Sequence, residues 1–311
     1  MAQKIQSFTH RQHMIKPTYE LYHYRDAQLD EVSLHHHDFY EVYLFLSGNV
    51  DYVIESRKYR VTPGDVLLIS PNELHQPLLS QEPMVYERIV LWIDKTYLEQ
   101  FAAVGTDLER CFVQAARNHT NLVRTDPNDL QLLVTLLEHT RNELESKEFG
   151  SAMAADTLLI QALVMLNRLA QRGGQSAELR DKSGSVVGKV LGYIDEHYHE
   201  DLSLDFLANQ FFISKYHLSR EFNRLTGTSV YRYIIQKRLV MAKQMLGQGI
   251  PSSEVYQSCG FGDYSNFYRA FKSEYQISPK EYVAKLKTDS ALTAARIRER
   301  VQLMSPQGQE E

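Results

Sequence analysis

Apolar positions in the first hundred residues come in short runs. Tyr40 to Leu46, Val50 to Glu55, Val66 to Ser70 and Ile89 to Ile93 are rich in β-branched or aromatic residues, the composition of strands. Turn formers separate them: Ser47-Gly48-Asn49, Pro63-Gly64-Asp65 and Ser70-Pro71-Asn72. Strands this closely spaced predict an antiparallel barrel or sandwich. From Pro127 to Leu169 the period changes. Leu130, Leu133, Val134, Leu137, Arg141 and Leu144 fall at helical spacing, and a second helical run covers Met153 to Leu169. The stretch Arg172 to Ser185 has no apolar period and holds three glycines, which marks a linker. Beyond it the periodic segments are helical. The pattern predicts an α+β chain. An antiparallel β-barrel occupies 1–110, a helical packing or dimerisation segment 111–172, a linker 173–185, an all-α domain 186–287 and a partly disordered tail 288–311.

The all-α stretch contains a repeat. Shifted by 49 residues, Phe212 falls on Phe261, Leu218 on Phe267, Arg220 on Arg269, Phe222 on Phe271, Ser229 on Ser278 and Tyr233 on Tyr282. In the first copy Ser203 is placed to cap a helix with Leu204, Leu207, Ala208 and Phe211 inward. After a short turn Ser214 is placed to cap a second helix, with Leu218, Phe222 and Leu225 inward and Gly227 at its end. In the second copy Pro251 to Ser258 is the first helix, expected to be the shorter of the two, Cys259-Gly260-Phe261-Gly262 the turn and Asp263 the next cap, with Phe267 and Phe271 inward. Ser278-Pro279-Lys280-Glu281 has the form of a capping box with proline at the first helical position. One long helix, Val230 to Leu246, joins the copies. Helix, short turn, capped helix is the helix-turn-helix arrangement, whose second helix enters the DNA major groove.

Charge first argues against nucleic acid and then, once divided, for it. The whole chain holds 34 Lys+Arg against 39 Asp+Glu, a net charge of -5. Residues 1–175 carry -7 and residues 186–287 carry +3, with 176–185 neutral and 288–311 at -1. The two cysteines, Cys111 and Cys259, cannot build a disulfide framework. No apolar stretch approaches the roughly 18 to 20 residues of a membrane helix, and Met1 to Ile15 lacks the apolar core of a signal peptide. The expectation is a cytoplasmic protein with no membrane partner. No phosphate-cradling glycine loop or nucleophile elbow is present, so nucleotide hydrolysis and acyl transfer have no support.

With the inward residues assigned, Lys215, Tyr216, Ser219, Arg220, Asn223 and Arg224 face outward in the first copy. Tyr264, Ser265, Tyr268, Arg269 and Lys272 do so in the second, with Asn266 beside them. Arg and Asn reach base edges bidentately, whereas Lys, Ser and Tyr serve phosphates. The plainer alternative is a pair of helical hairpins with solvated faces. Residues 186–287 resemble the DNA-binding domain of the AraC/XylS family of bacterial transcription regulators. The resemblance is carried by Leu204-Asp205-Phe206-Leu207-Ala208, by Ser214 to Phe222, by Gly260 to Lys272 and by Ser278-Pro279. It implies two recognition helices in successive major-groove faces, with base contacts from Tyr216, Ser219 and Arg220 and from Ser265, Asn266 and Arg269. Tyr256 and Gln276 depart from it, standing where that family usually has alanine and often glycine.

His35-His36-His37-Asp38-Phe39-Tyr40-Glu41 is the other conspicuous cluster. In an extended segment His35, His37 and Glu41 share one face, and His75 follows the turn at Ser70-Pro71-Asn72. Imidazoles with one carboxylate can hold a divalent transition metal. The cluster resembles the cupin barrel that often precedes this DNA-binding domain. The cupin metal pattern maps onto His35, His37, Glu41 and His75, with Leu79 where an asparagine is usual. The same residues also fit a pocket for an organic effector with no metal. Phe39, Tyr43, Phe45 and Trp92 then either stack on a sugar or are plain core, with Glu41 and the histidines as hydrogen-bonding groups.

The resemblance implies a ligand-responsive activator of genes for carbohydrate uptake or breakdown. Its partners would be promoter DNA, a sugar effector, RNA polymerase and a second copy of itself, and it would require no cofactor. Leu130, Leu133, Leu137 and Leu144 either pack on the barrel or form the dimer contact. A metal-dependent cupin enzyme and a metal-sensing regulator remain the alternatives.

Overall fold

The structure is a computed structural model describing residues 13–27, 32–79, 85–102, 105–173, 186–286 and 288. The linker stretch 174–185 and the tail from 289 onward, with Ser305 to Gln309, lie outside the described residues. Contacts divide the chain into two units, 1–191 with 220–228 and 192–219 with 229–311.

In the first unit β1 (Tyr19–Asp26), β2 (Tyr40–Ser47), β3 (Val50–Ile54), β4 (Arg57–Arg60), β5 (Val66–Ile69), β6 (His75–Leu79) and β7 (Tyr86–Ile93) precede α1 (Lys95–Ala102) and α2 (Arg110–Asn118). A short β8 (Leu122–Val123), then α3 (Pro127–Glu145) and α4 (Ser151–Gly173), complete it. The strands form two antiparallel sheets, ordered β1-β7-β2-β5-β8 and β4-β3-β6. β2 lies inside the larger sheet, and its alternation feeds two cores. Tyr40, Val42 and Leu44 join Leu68, Leu91 and the helices, including Phe112, Leu133, Leu137, Leu159, Leu163 and Leu166. Tyr43 and Phe45 join Leu67, Val90 and Trp92 of the same sheet and Val50, Tyr52, Ile54 and Tyr59 of the smaller one. The second core is where the sheets meet.

Four strands escaped the hydrophobic pattern, the two-residue β8 among them. β1 carries Glu20, His23, Arg25 and Asp26 yet pairs with β7 along all eight residues. β4 has only Tyr59 buried. β6 contains Pro77, tolerated because β6 is the edge of its sheet, with β3 as its one partner strand. The helices bear on one open alternative and correct one expectation. Leu133 and Leu137 are 0% and 1% exposed inside the unit, and the partly buried Leu130 and Leu144 pack against the same core, which is the packing alternative for this stripe. The residues Ser151–Arg172 are long and apolar enough to cross a membrane, with a mean hydropathy of 1.3. α4 nevertheless buries Ala155, Leu159, Ala162, Leu163, Leu166 and Leu169 in the core.

The remaining elements are α5 (Val186–His197), α6 (Leu204–Gln210), α7 (Lys215–Thr226), α8 (Val230–Gly247), α9 (Ser252–Ser258) and α10 (Tyr264–Tyr275), with a further helix over 279–286. The caps fall where local chemistry puts them. Ser203 Oγ accepts from Phe206 N, Ser214 Oγ from His217 N, and Asp263 Oδ1 from Asn266 N. The box at Ser278 closes in both directions with Glu281. The repeat is not uniform, however. α6 and α9, both seven residues long, and the left-handed turn residues Phe212 (φ 55) and Gly260 (φ 80) are related by 48 residues. The caps Ser214 and Asp263 and the buried Phe222 and Phe271 are related by 49. Gly262 is the extra residue. Phe212 therefore corresponds to Gly260 and not to Phe261: it is 95% exposed, whereas Phe261 is 6% exposed.

Tyr256 sits partly buried at the edge of the core of Leu239, Ala242, Leu246, Phe267 and Phe271, edge-on to Tyr264 at 5.8 Å. It leaves α9 as long as α6. Gln276 takes the left-handed conformation itself, at φ 60, matching Gly227 at φ 62.

Candidate ligand pocket and nucleic-acid interface

The segment leading into β2 is laced to β6 by its backbone. His35 and His75 exchange N–H···O bonds of 3.1 and 2.8 Å, and Asn72 N donates to His37 O at 2.7 Å. This brings His37, Glu41 and His75 together, all buried, with ligand atoms within 4.8 Å of one another. His35 stands beside them, its ring 4.3 Å from that of His75 and 6.3 Å from that of His37. Trp92 lies opposite Glu41 across the β2–β7 ladder, and its Nε1 donates to Glu41 Oε2 at 2.8 Å. The same oxygen is 3.1 Å from His37 Nε2. Phe39 stacks on His37 at 3.9 Å and packs on Trp92 at 4.8 Å.

Burial by itself would raise the Glu41 carboxyl. The hydrogen bond and charge of His37, the charge of His35 and the Trp92 N–H outweigh it and hold the group below its usual value. Burial, with His35 and His37 close by, drives the His75 imidazole well below its usual value, so this ring is neutral near neutral pH. Tyr43 lies deeper, its hydroxyl bonded to Tyr86 and its ring 4.9 Å from Tyr52.

Sequence reasoning missed three contributors. Tyr52 runs nearly parallel to His75 at 6.3 Å, and burial raises its hydroxyl well above the usual value. The period-two run Val50, Tyr52, Ile54 held that signal. Arg88 is 2% exposed, paired with Asp26 at 2.5 Å and held over the rings of Tyr24 and Tyr86 at 4.8 and 4.1 Å. It continues the alternation of Trp92, Val90 and Tyr86, visible only once β7 is known to begin at Tyr86. The third contributor is backbone: the carbonyls of Ser33, Phe39 and Glu73, each bonded to a histidine Nδ1.

On the helical side, α7 exposes Lys215, Tyr216, Ser219, Arg220, Asn223 and Arg224 while burying Leu218 and Phe222. α10 exposes Ser265, Asn266, Arg269 and Lys272 while burying Phe267 and Phe271. Several of these cations hold local partners. Arg224 bonds Glu221 through Nε and Nη2 at 3.0 and 2.8 Å, Lys215 lies 3.1 Å from Asp205, and Arg269 Nη2 donates to Asn266 Oδ1 at 2.6 Å. Exposed pairs of this kind contribute about 0–1 kcal/mol and are readily exchanged for phosphates or bases.

A sheet-lined polar cluster followed by two capped helix-turn-helix units defines a DNA-binding transcription regulator that carries its own ligand-binding domain. Residues 17–163 match the AraC-like ligand binding domain family, and residues 207–285 match a helix-turn-helix domain family. The chain belongs to the AraC family of regulators. It is 24% identical over 248 residues to the HTH-type transcriptional activator RhaS of Salmonella paratyphi A, covering 79% of this chain and 86% of that protein. Among solved structures it is similar to ToxT from Vibrio cholerae, 14% identical, covering 87% of this chain and 99% of that one at a TM-score of 0.36. It is also similar to the DNA-binding domain of AdpA in complex with a target DNA, 26% identical, covering 32% and 92% of the two chains at a TM-score of 0.32.

Proposed function

We propose that this regulator is an activator whose effector is a small polyhydroxylated molecule, a sugar, bound between the two sheets. The supporting observation is the composition of that interior: Glu41, His37 and His75 as hydrogen-bonding groups against the aromatic faces of Trp92, Phe39 and Tyr52. Aromatic faces suit the apolar side of a sugar ring, and a few convergent polar groups fix its hydroxyls. In this reading the protein acts in the cytoplasm without catalysis. It binds promoter DNA as a homodimer and engages RNA polymerase. Effector binding shifts the population toward the arrangement that occupies the promoter.

The DNA contacts fall on Lys215, Tyr216, Ser219, Arg220 and Arg224 of α7 and on Ser265, Asn266, Arg269 and Lys272 of α10, all exposed. Replacing Arg220 or Arg269 with alanine weakens specific binding by roughly 1–3 kcal/mol and relaxes preference at one base position. Fluorescence anisotropy on duplexes selected from a random pool, and on their single-base variants, measures both effects. Wild-type base preferences from both variants would remove these helices from the recognition role. A thermal-shift screen against monosaccharides tests the effector, since a ligand that binds the native state raises its melting temperature.

A further inference from the structure

The backbone that leads into α6 is held from two sides. Arg238 of α8 donates from Nε to Tyr198 O and from Nη2 to Glu200 O, each at 2.7 Å. The carbon of the same guanidinium lies 5.9 Å from the centre of the Phe261 ring, in the turn of the second helix-turn-helix. That turn also meets the segment directly: a Cβ at Gly260 would lie 2.6 Å from the His199 carbonyl oxygen. Beyond Glu200 the chain runs straight to Ser203, which caps α6. Phe261 is 6% exposed and packs on Phe267 of α10 at 5.3 Å. All these residues belong to the second unit.

An arginine placed this way is costly and specific. The side chain is half-buried, and burial disfavours its charge, with the nearby Asp201 carboxylate opposing that effect. Two donors of one planar fork meet two carbonyls of one irregular segment, so both bonds form in a single placement of that segment. Docking α8 on α5 does not need them. Lys237 Nζ lies 3.1 Å from Asp195 Oδ1, and Tyr233 OH donates to the same oxygen at 3.4 Å. Arg238 is instead spent on the entry to the first motif and the turn of the second.

We propose that Arg238 is a positioning residue that sets the spacing of the two half-contacts on DNA. It ties the entry of the first helix-turn-helix to the turn of the second, so the pair accepts one separation between its base contacts. One base pair more or less moves a half-contact by about 3.4 Å along the duplex and turns it by about 35°. A tied pair cannot follow that change, whereas a loosened one can. The inference rests on the reading of α7 and α10 as the DNA-reading helices.

The test uses the full chain and duplexes selected from a random pool. Arg220→Ala and Arg269→Ala each mark one half-contact by the base position they relax. One base pair is then inserted or deleted between the two marks, and anisotropy gives the ratio of affinities for selected and altered duplexes. In the wild type this ratio is roughly tenfold or more, because one half-contact is lost. In Arg238→Met, which keeps the stem and loses both hydrogen bonds, the ratio shrinks by about threefold or more. Arg238→Lys, which keeps the charge without the fork, lies between. Leu246→Ala opens a cavity in the same core about two turns further along α8, lowering the melting temperature and keeping the wild-type ratio.

A merely structural arginine gives another result: Arg238→Met then resembles Leu246→Ala, less stable or weaker on every duplex with the ratio unchanged. That outcome overturns the proposal, as does a wild type that binds altered and selected duplexes equally. Should Arg238→Met not fold by circular dichroism, Phe261→Leu carries the same comparison, since it removes the ring and keeps an apolar side chain. If Arg220→Ala and Arg269→Ala leave base preference untouched, the reading of α7 and α10 fails and takes this inference with it. If they relax it while the ratio persists in Arg238→Met, only the spacing role falls.

Discussion

Position 260 accepts only glycine. Its φ is +80°, and an added Cβ would lie 2.6 Å from the His199 carbonyl oxygen, a backbone atom that cannot swing away. Gln276 is in the opposite situation, a side-chain-bearing residue at φ 60 where its counterpart is Gly227. The two sites predict shifts of opposite sign. Gly260→Ala destabilises by roughly 1–3 kcal/mol, and Gln276→Gly stabilises by about 1 kcal/mol because the left-handed strain is relieved. Urea unfolding measures both, and a neutral Gly260→Ala would contradict the close approach. At this scale the sequence was most informative. Ser203, Ser214, Asp263 and the Ser278–Glu281 box are local chemistry, legible from a few neighbouring letters. The histidine cluster was legible as a group, but not the carbonyls that fix its tautomer, since these depend on how the chain folds around each ring.

Between elements, the least legible feature is the clasp that joins α3 to the larger sheet. His23 on β1 is buried, with Nδ1 2.8 Å from Glu138 on α3 and Nε2 2.8 Å from Glu87 on β7. A carboxylate at each nitrogen requires both protons, so the ring is an imidazolium. The hydrogen bond to Glu138 raises its pKa against the opposing effect of burial, with Glu87 adding to the rise. The hydrogen bond from His23 in turn lowers Glu138 against burial, with Arg141 assisting at 2.5 Å. Arg25, 3.7 Å from Glu87, is the other charge facing the clasp. The His23 contribution is complete below its unfolded value of 6.5 and is lost as pH rises through the raised folded value. The Glu138 contribution is complete above its unfolded value of 4.5 and is lost as pH falls through the lowered folded one. The stability difference between wild type and His23→Gln is therefore largest between about pH 4.5 and 6.5 and shrinks toward pH 9. Urea unfolding of both proteins across that range measures it, and a difference that grows with pH would refute the imidazolium. Nothing in the β1 sequence announces this, because a histidine among tyrosines and charges signals no partner 115 residues away. β1 and β6 stayed hidden for related reasons: in one the buried face carries polar groups with distant partners, and in the other proline is permitted only by the edge position.

For the whole molecule, the division of charge was the most consequential reading of the sequence, because it separates -7 over residues 1–175 from +3 over residues 186–287. A small positive surplus limits how much of DNA binding can come from counterion release. Each phosphate neutralised on duplex DNA contributes about 0.9 to the slope of log affinity against log salt. The exposed cations assigned to the interface are Lys215, Arg220, Arg224, Arg269 and Lys272. If all met phosphates, the slope would reach about -4.5 per protomer. Arginines that spend their charge on base edges bring it lower. Alanine at Lys215 or Lys272 should weaken selected and random duplexes alike and reduce the slope by about 1. Alanine at Arg220 or Arg269 should chiefly remove the difference between the two duplexes. Anisotropy titrations from 50 to 300 mM salt distinguish these outcomes. A slope steeper than about -6 per protomer would mean that cations outside α7 and α10 carry the binding.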